Sequence, residues 1–336
     1  MSFQLNSWTE WSPLEVVVVG SVIGACYPDY SPVYPWNHIK DEFVGLIDSM
    51  HGPRPRSRIA AAQAQLDNLA DLIRGECIQV STMKEVEKDI GLELDRCRSV
   101  RVDNLSEVDK SVVATVHKKK VEVWRAPSEG VCFDLDIRTA HFTSKYQFGL
   151  ACPRDTIITL GDTVVEAPTC FDSRYFEASF YKPLLYSLWS KDPRMKWLQP
   201  PKPTCSPNTM LDAVDYWDGP DAKKRPLFAD RCYKTNLNES EIAFDAAEMM
   251  RMGKDDFYKK SVTSTIKGLD WLRRTFPHLR FHMVHFPDDE SPHVDVSLIP
   301  LRPPTSGSEG LILLNQAYPP LASEMKVFTD NDWRPV

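Results

Sequence analysis

No run in this 336-residue sequence approaches the ~20 apolar residues that a membrane-spanning helix needs. The opening stretch, MSFQLNSWTEW, has no cationic segment leading into an apolar one. It reads as folded protein, and the expected compartment is the cytoplasm. The eight cysteines form no CxxC pair and are joined by no histidines at metal-ligand spacing. That pattern predicts dispersed, reduced thiols, with no metal and no organic cofactor. No cysteine follows Cys232. Phosphate loops of the GxGxxG or GxxxxGK type are missing, so nothing favours a nucleotide-binding fold. Net positive charge is missing too: the formal charge is -7, which argues against a nucleic-acid partner. The one dense basic cluster, His117-Lys118-Lys119-Lys120, leads into the alternating run Val121-Glu122-Val123-Trp124 and reads as the entry to a solvated strand.

What is present is ample core material. The chain is 42% hydrophobic, with nine Trp and fifteen Phe, enough for a large core in a single domain spanning residues 1–336. Residues 15–20, EVVVVG, predict a strand buried on both faces. Residues 27–56, rich in Pro, Tyr and Gly, read as a long ordered loop. Residues 57–74 predict a helix with an apolar stripe of Ile59, Leu66, Leu69, Leu72 and Ile73. A short strand at 77–80, a helix near 83–90 and a strand at 121–124 follow. From 153 the pattern sharpens. Residues 156–160 and 163–166 flank Gly161-Asp162 and predict a hairpin. An aromatic-rich helix is expected over 173–189 and a proline-rich loop over 198–223. A second unit starts near 242–245 and turns at Gly253. Its helix is expected over 256–276 and its strand over 280–286. A strand at 293–300, a turn at 303–310 and a return strand at 311–315 complete the reading. The recurrence of strand, hairpin and helix predicts an α/β repeat architecture.

Several polar residues interrupt this pattern at strand starts: Asp155, Asp245, and the pair His293 and Asp295. Residues i and i+2 of a strand share a face. His293 and Asp295 are therefore expected to project together, with Val294, Val296 and Leu298 opposite. If the repeats surround a common axis, these groups converge. Clustered carboxylates repel one another, and a planar guanidinium relieves that repulsion through paired hydrogen bonds. An imidazole alongside can move protons near neutral pH. Plainer readings stand beside this one. Asp155 equally suits pairing with an arginine or capping a turn, and Asp245 suits a helix N-cap. His282 and His285 suit packing, and Asp172 and Glu248 carry weaker signals.

These residues sit in stretches that resemble the amidinotransferase family, most of all its glycine amidinotransferase branch. The matching blocks include ACPRDTIITLGDTVVEAP at 151–168, SRYFEASFYKPLLYSLW at 173–189, FDAAEMMRMGKDDF at 244–257 and SPHVDVSL at 291–298. The resemblance implies a pentein-type propeller of ββαβ modules around a pseudo-fivefold axis. It implies transfer of an amidino group from arginine to a small amine acceptor such as glycine through an amidino-cysteine intermediate. By the same resemblance Asp245 and His293 are the catalytic pair. Asp155 and Asp295 hold the guanidinium, and Glu248, in FDAAE where the family reads FDAAD, is a further substrate-side carboxylate. The family's nucleophilic cysteine lies beyond the last matching block, so the last module is expected to be incomplete. An exposed apolar edge and homodimer formation are expected with it. Two other functions stay open: an inactive homologue that binds guanidino compounds, and an arginine deiminase-like hydrolase.

Overall fold

The computed structural model describes residues 4–28, 51–74, 122–128, 131–211, 237–286 and 293–336. The expected elements at 77–80 and 83–90, the basic cluster at 117–120, most of the 27–56 loop and residues 212–223 of the 198–223 loop lie outside these residues.

Strand β1 (Val16–Val19) pairs in parallel with β4 (Glu122–Arg125). Between them in the chain come the short antiparallel pair β2 (Cys26–Tyr27) and β3 (Gly52–Pro53) and helix α1 (Arg56–Arg74). β1 is half-buried along most of its length rather than buried on both faces. The stripe of α1 is only partly used: Ala70 is buried, whereas Leu69 and Leu72 are exposed. A hairpin of β5 (Asp134–Arg138) and β6 (Thr143–Tyr146) follows.

Three units of one design then succeed one another. The first opens with the short helix α2 (Pro153–Thr156). It continues as β7 (Ile157–Leu160) and β8 (Thr163–Glu166), then helices α3 (Glu177–Phe180) and α4 (Lys182–Lys191), then β9 (Lys196–Leu198). Gly161 turns the hairpin at a φ of 64°, which a side chain adopts only at a cost. A short helix α5 (Pro207–Met210) leads onward. The second unit is β10 (Met249–Met252), β11 (Asp255–Lys259), α6 (Ile266–Thr275) and β12 (Arg280–Val284). The third is β13 (Leu298–Arg302), β14 (Gly310–Leu314), α7 (Ala322–Thr329) and β15 (Trp333–Pro335). In each unit the first two strands are antiparallel and the third joins the second in parallel through the helix.

Three expectations need correction. The segment expected as a helix over 256–276 begins as strand β11, and its helix starts at Ile266. Thr265 sets that start: its side-chain oxygen accepts the Gly268 N–H at 3.1 Å, an N-cap bond. The helix expected over 173–189 is broken into a 3-10 turn (Asp172–Arg174), α3 and α4. The strand expected from 293 begins only at Leu298. Residues 293–297 form a turn, in which Ser297 and Leu298 both donate to the Val294 carbonyl. His293 and Asp295 therefore come together as turn neighbours rather than as strand neighbours, and Val296 is exposed.

Cores form where neighbouring units meet. Ile158, Leu160 and Val165 of the first unit pack with Met249, Tyr258, Leu269 and Phe281 of the second. Met250 and Phe257 of the second pack with Leu298, Ile312 and Trp333 of the third. Each such side chain contributes roughly 1.5–3 kcal/mol on burial. The third unit also shows an uncovered row. Ile299 pairs opposite Leu313, the Leu314 N–H donates to the Val336 carbonyl, and Ile299, Leu313 and Val336 are all exposed, with Leu301 beside them. Among the described residues no helix is long and apolar enough to cross a membrane.

Candidate active site

The repeat explains the site. Asp155 stands just before the first strand of unit one, Asp245 just before that of unit two, and His293 just before that of unit three. Three residues far apart in the chain thus lie two, four and five residues ahead of the strands that open the three units. Backbone staples bring the three turns together. Arg154 donates to the carbonyls of Ala246 at 2.5 Å and Met249 at 2.8 Å. The Val294 N–H donates to the Ala247 carbonyl at 3.2 Å.

His293 Nε2 lies 3.2 Å from Asp245 Oδ2, and His293 Nδ1 lies 3.8 Å from Asp155 Oδ1. Burial would lower the histidine's pKa. The bond to Asp245 and the charges of Glu248, Asp245 and Asp155 outweigh it and push the pKa up to about 9. The imidazole is therefore cationic at neutral pH. Asp245 has no exposure. Burial would raise its pKa, but Arg174 and then His293 hold it below the usual carboxylate range. Asp245 occupies the N-cap position of the turn Ala246–Glu248, yet its side chain makes no capping bond there. It serves Arg174 and His293 instead.

A buried guanidinium already sits among these acids. Arg174 reaches Asp155 Oδ2 at 3.0 Å and Asp245 Oδ2 at 3.5 Å. It also grips Glu177 in bidentate fashion, Nε to Oε2 at 2.7 Å and a terminal nitrogen to Oε1 at 3.0 Å. Asp155 thus does pair with an arginine, as the plainer reading of the sequence allowed. Asp295, half-buried, accepts no hydrogen bond among the described residues. Burial first, and then the neighbouring acids Asp155 and Glu10, raise its pKa against His293 and Arg154.

No family model matches the chain. It is 27% identical to L-arginine:L-lysine amidinotransferase of Pseudomonas savastanoi pv. phaseolicola, across 92% of this chain and 68% of that one. It is 25% identical to the mitochondrial glycine amidinotransferase of Danio rerio, across 96% and 63%. Among solved structures it superposes on an amidinotransferase of the saxitoxin biosynthetic pathway from Microseira wollei. That match has a TM-score of 0.72 and 26% identity, covering 98% of this chain and 76% of that one. The chain belongs to the amidinotransferase/pentein superfamily. Its fold is the pentein type, built of ββαβ repeats. It spans about two thirds of the length of these curated amidinotransferases, 68% and 63%.

Glu248 is completely buried. It accepts hydroxyl hydrogen bonds from Ser261 and Thr263, while its Oε2 meets no partner among the described residues. Burial pushes its pKa up to about 7 despite His293 and those hydroxyls. His282 and His285 pair with Asp255 and Glu324, each at 2.7 Å, away from this cluster. Sequence reasoning assigned no role to Arg154, Arg174 or Glu177. The signal was there: Arg174 and Glu177 stand three apart inside an aromatic-rich segment, where buried charges need partners. Of the described cysteines, Cys152 lies nearest Asp155 in the chain. Burial first, then Asp155, pushes its thiol up to about 11, and burial holds Cys170 well above the ordinary thiol value.

Proposed function

We propose that this site binds the guanidinium of arginine, or of an arginine-like donor, during transfer of its amidino group to a small primary amine such as glycine. The observation that carries this is the convergence of His293 on Asp245 and Asp155, with Asp295 beside them. Arg174 satisfies one oxygen of Asp155, the other lies 3.8 Å from the imidazole, and Asp295 is close enough for the charge of His293 to act on it. Two carboxylates so placed suit a planar cation that donates in pairs.

In such a transfer a cysteine thiolate attacks the central guanidinium carbon, and the C–N bond to the donor breaks. The departing amine takes the proton that His293 carries at neutral pH. The acceptor amine then attacks the same carbon, expels the sulfur as thiolate and gives its proton to the imidazole. Asp245 keeps the ring oriented through both steps. The names of the relatives, one acting between arginine and lysine and others named for glycine, support an amine acceptor. Burial of the sulfur and the charge of Asp155 raise the Cys152 thiol, which works against a thiolate there at neutral pH. That observation also favours a second reading, a protein that binds guanidino compounds without transferring them. We further propose that residues 1–336 act as one domain in the cytoplasm, paired as a homodimer through the Ile299–Leu313–Val336 row.

Calorimetric titration with arginine tests the binding step, which both readings share. Saturable heat is expected from the unaltered chain, weakened at least tenfold by Asp295→Ala, a carboxylate that accepts no hydrogen bond among the described residues. Absence of heat, or an affinity that Asp295→Ala leaves alone, overturns the assignment.

A further inference from the structure

Arg174 brings the protein's own guanidinium to the acids of the candidate site, so an arriving guanidinium meets an internal competitor. Glu177 decides how that competitor is held. It opens α3 and is 5% exposed. Arg174 closes the 3-10 turn three residues earlier. Arg174 donates Nε to Glu177 Oε2 at 2.7 Å and Nη2 to Oε1 at 3.0 Å. Among the described residues the Glu177 carboxylate accepts no other hydrogen bond. One nitrogen, Nη1, is left for the site acids. It donates to Asp155 Oδ2 at 3.0 Å and to Asp245 Oδ2 at 3.5 Å. Asp155 Oδ1 receives no hydrogen bond from Arg174 and lies 3.8 Å from His293 Nδ1.

We propose that Glu177 is a positioning residue: it holds one edge of Arg174, so that the internal guanidinium cannot close over both oxygens of Asp155 and take the place of an arriving one. A guanidinium pairs with a carboxylate through two parallel N–H bonds from a single edge. Glu177 occupies such an edge of Arg174, and the bond is local in the chain, which fixes where the remaining nitrogen points. Released from Glu177, Arg174 is free to turn two nitrogens toward Asp155. A buried cation that has lost its carboxylate gains by engaging the next one fully. Asp155 Oδ1 would then be covered. Glu177 acts through Arg174 and not on the ligand, and its part rests on the guanidinium-binding reading of the site.

Arginine calorimetry on the whole chain reads the competition. Glu177→Gln, which keeps the shape and removes the charge, is expected to weaken arginine about tenfold, the worth of one charge-assisted hydrogen bond. Adding Arg174→Lys to it is expected to bring the affinity back to within about threefold of the unaltered chain, because a single ammonium does not cover a carboxylate as a guanidinium edge does. A merely structural Glu177 gives the opposite result, a double variant no better than the single one. Unchanged affinity in Glu177→Gln, or no recovery in the double variant, overturns the proposal. Should Glu177→Gln not fold, Glu177→Asp decides. Its shorter carboxylate cannot span both nitrogens, so about a threefold loss is expected, and no loss overturns the proposal. NMR titration of the His293 ring separates this from failure of the guanidinium reading. If the unaltered chain takes up no arginine, that reading fails and the ring alone judges Glu177. In Glu177→Gln the ring pKa is expected to fall by about one pH unit as Arg174 draws Asp155 away from the imidazole. An unchanged ring pKa overturns the assignment.

Discussion

Arg174 threads its guanidinium between acids drawn from separate turns, and this changes the electrostatic logic of the site. The sequence suggested carboxylates waiting for a cation from outside. The fold supplies part of that cation itself, through contacts of 3.0 Å to Asp155 and 3.5 Å to Asp245. On the proposed reading, a ligand would meet the other side of Asp155 together with Asp295. The charge state of His293 follows from the same crowding. Its folded pKa of about 9 lies above the ordinary value of ~6.5 that it regains on unfolding. Its contribution to stability is therefore complete below ~6.5 and is lost as the pH rises through about 9. Asp245→Asn removes the hydrogen-bonding carboxylate. NMR titration of the His293 ring should then show its pKa falling toward the ordinary histidine range, and the alkaline loss of stability should shrink. A ring that still titrates near its original value would mean that Asp245 is not what holds the proton.

At the level of elements, the repeating hairpin was legible and its entries were not. Alternation around Gly161-Asp162 gave the hairpin over 157–166 within a residue, and the second unit's turn fell at Gly253 as expected. The local pattern misled where polar residues break it. Asp256 reads as a helix start, yet it lies in β11, because the register with Arg251 and Phe281 fixes it there. His293 reads as strand, yet it lies in a turn whose path is set by a backbone bond to Ala247 in the neighbouring unit. Such long-range bonds leave no trace in local spacing. The candidate residues could be named from resemblance and strand position, while the contacts by which Arg154 and Arg174 place them emerge only in three dimensions. One further element junction can be tested. The end of β1 crosses the chain just before α2 at Gly20, where a Cβ would collide with the backbone of Leu150 and Ala151. Gly20→Ala should cost roughly 1–3 kcal/mol or more, since backbone cannot swing aside as a side chain can. Urea denaturation measures this, and a stability unchanged within error would show that β1 can retreat freely.

Across the whole molecule, neighbouring units bury one another's faces, and in the third unit one apolar row stays exposed among the described residues. Ile299, Leu301, Leu313 and Val336 are each 40–48% exposed, an apolar patch of the kind that soluble proteins rarely leave uncovered. If a second copy covers it, Leu313→Lys together with Ile299→Lys should convert dimer to monomer in light scattering, with little change in melting temperature. A mass that is monomeric before and after the substitutions would remove the homodimer from the proposal.

The amino-terminal stretch crosses two of these units. Ser7 bridges to Gly161 and Thr9 to Met252. Glu10 accepts from Arg251 at 2.8 and 2.9 Å and from Arg154 at 3.2 Å. Burial alone would raise the pKa of Glu10, but the two arginines bring it down to about 2, so this strap stays charged across the physiological range. The same Arg154 reaches round to staple the Asp245 turn. A protease that trims the first dozen residues would therefore do more than shorten a tail. It would cut the thong that laces two blades, and the damage would surface far from the cut, in the turn that carries Asp245 and, on the proposed reading, in the binding of a guanidinium.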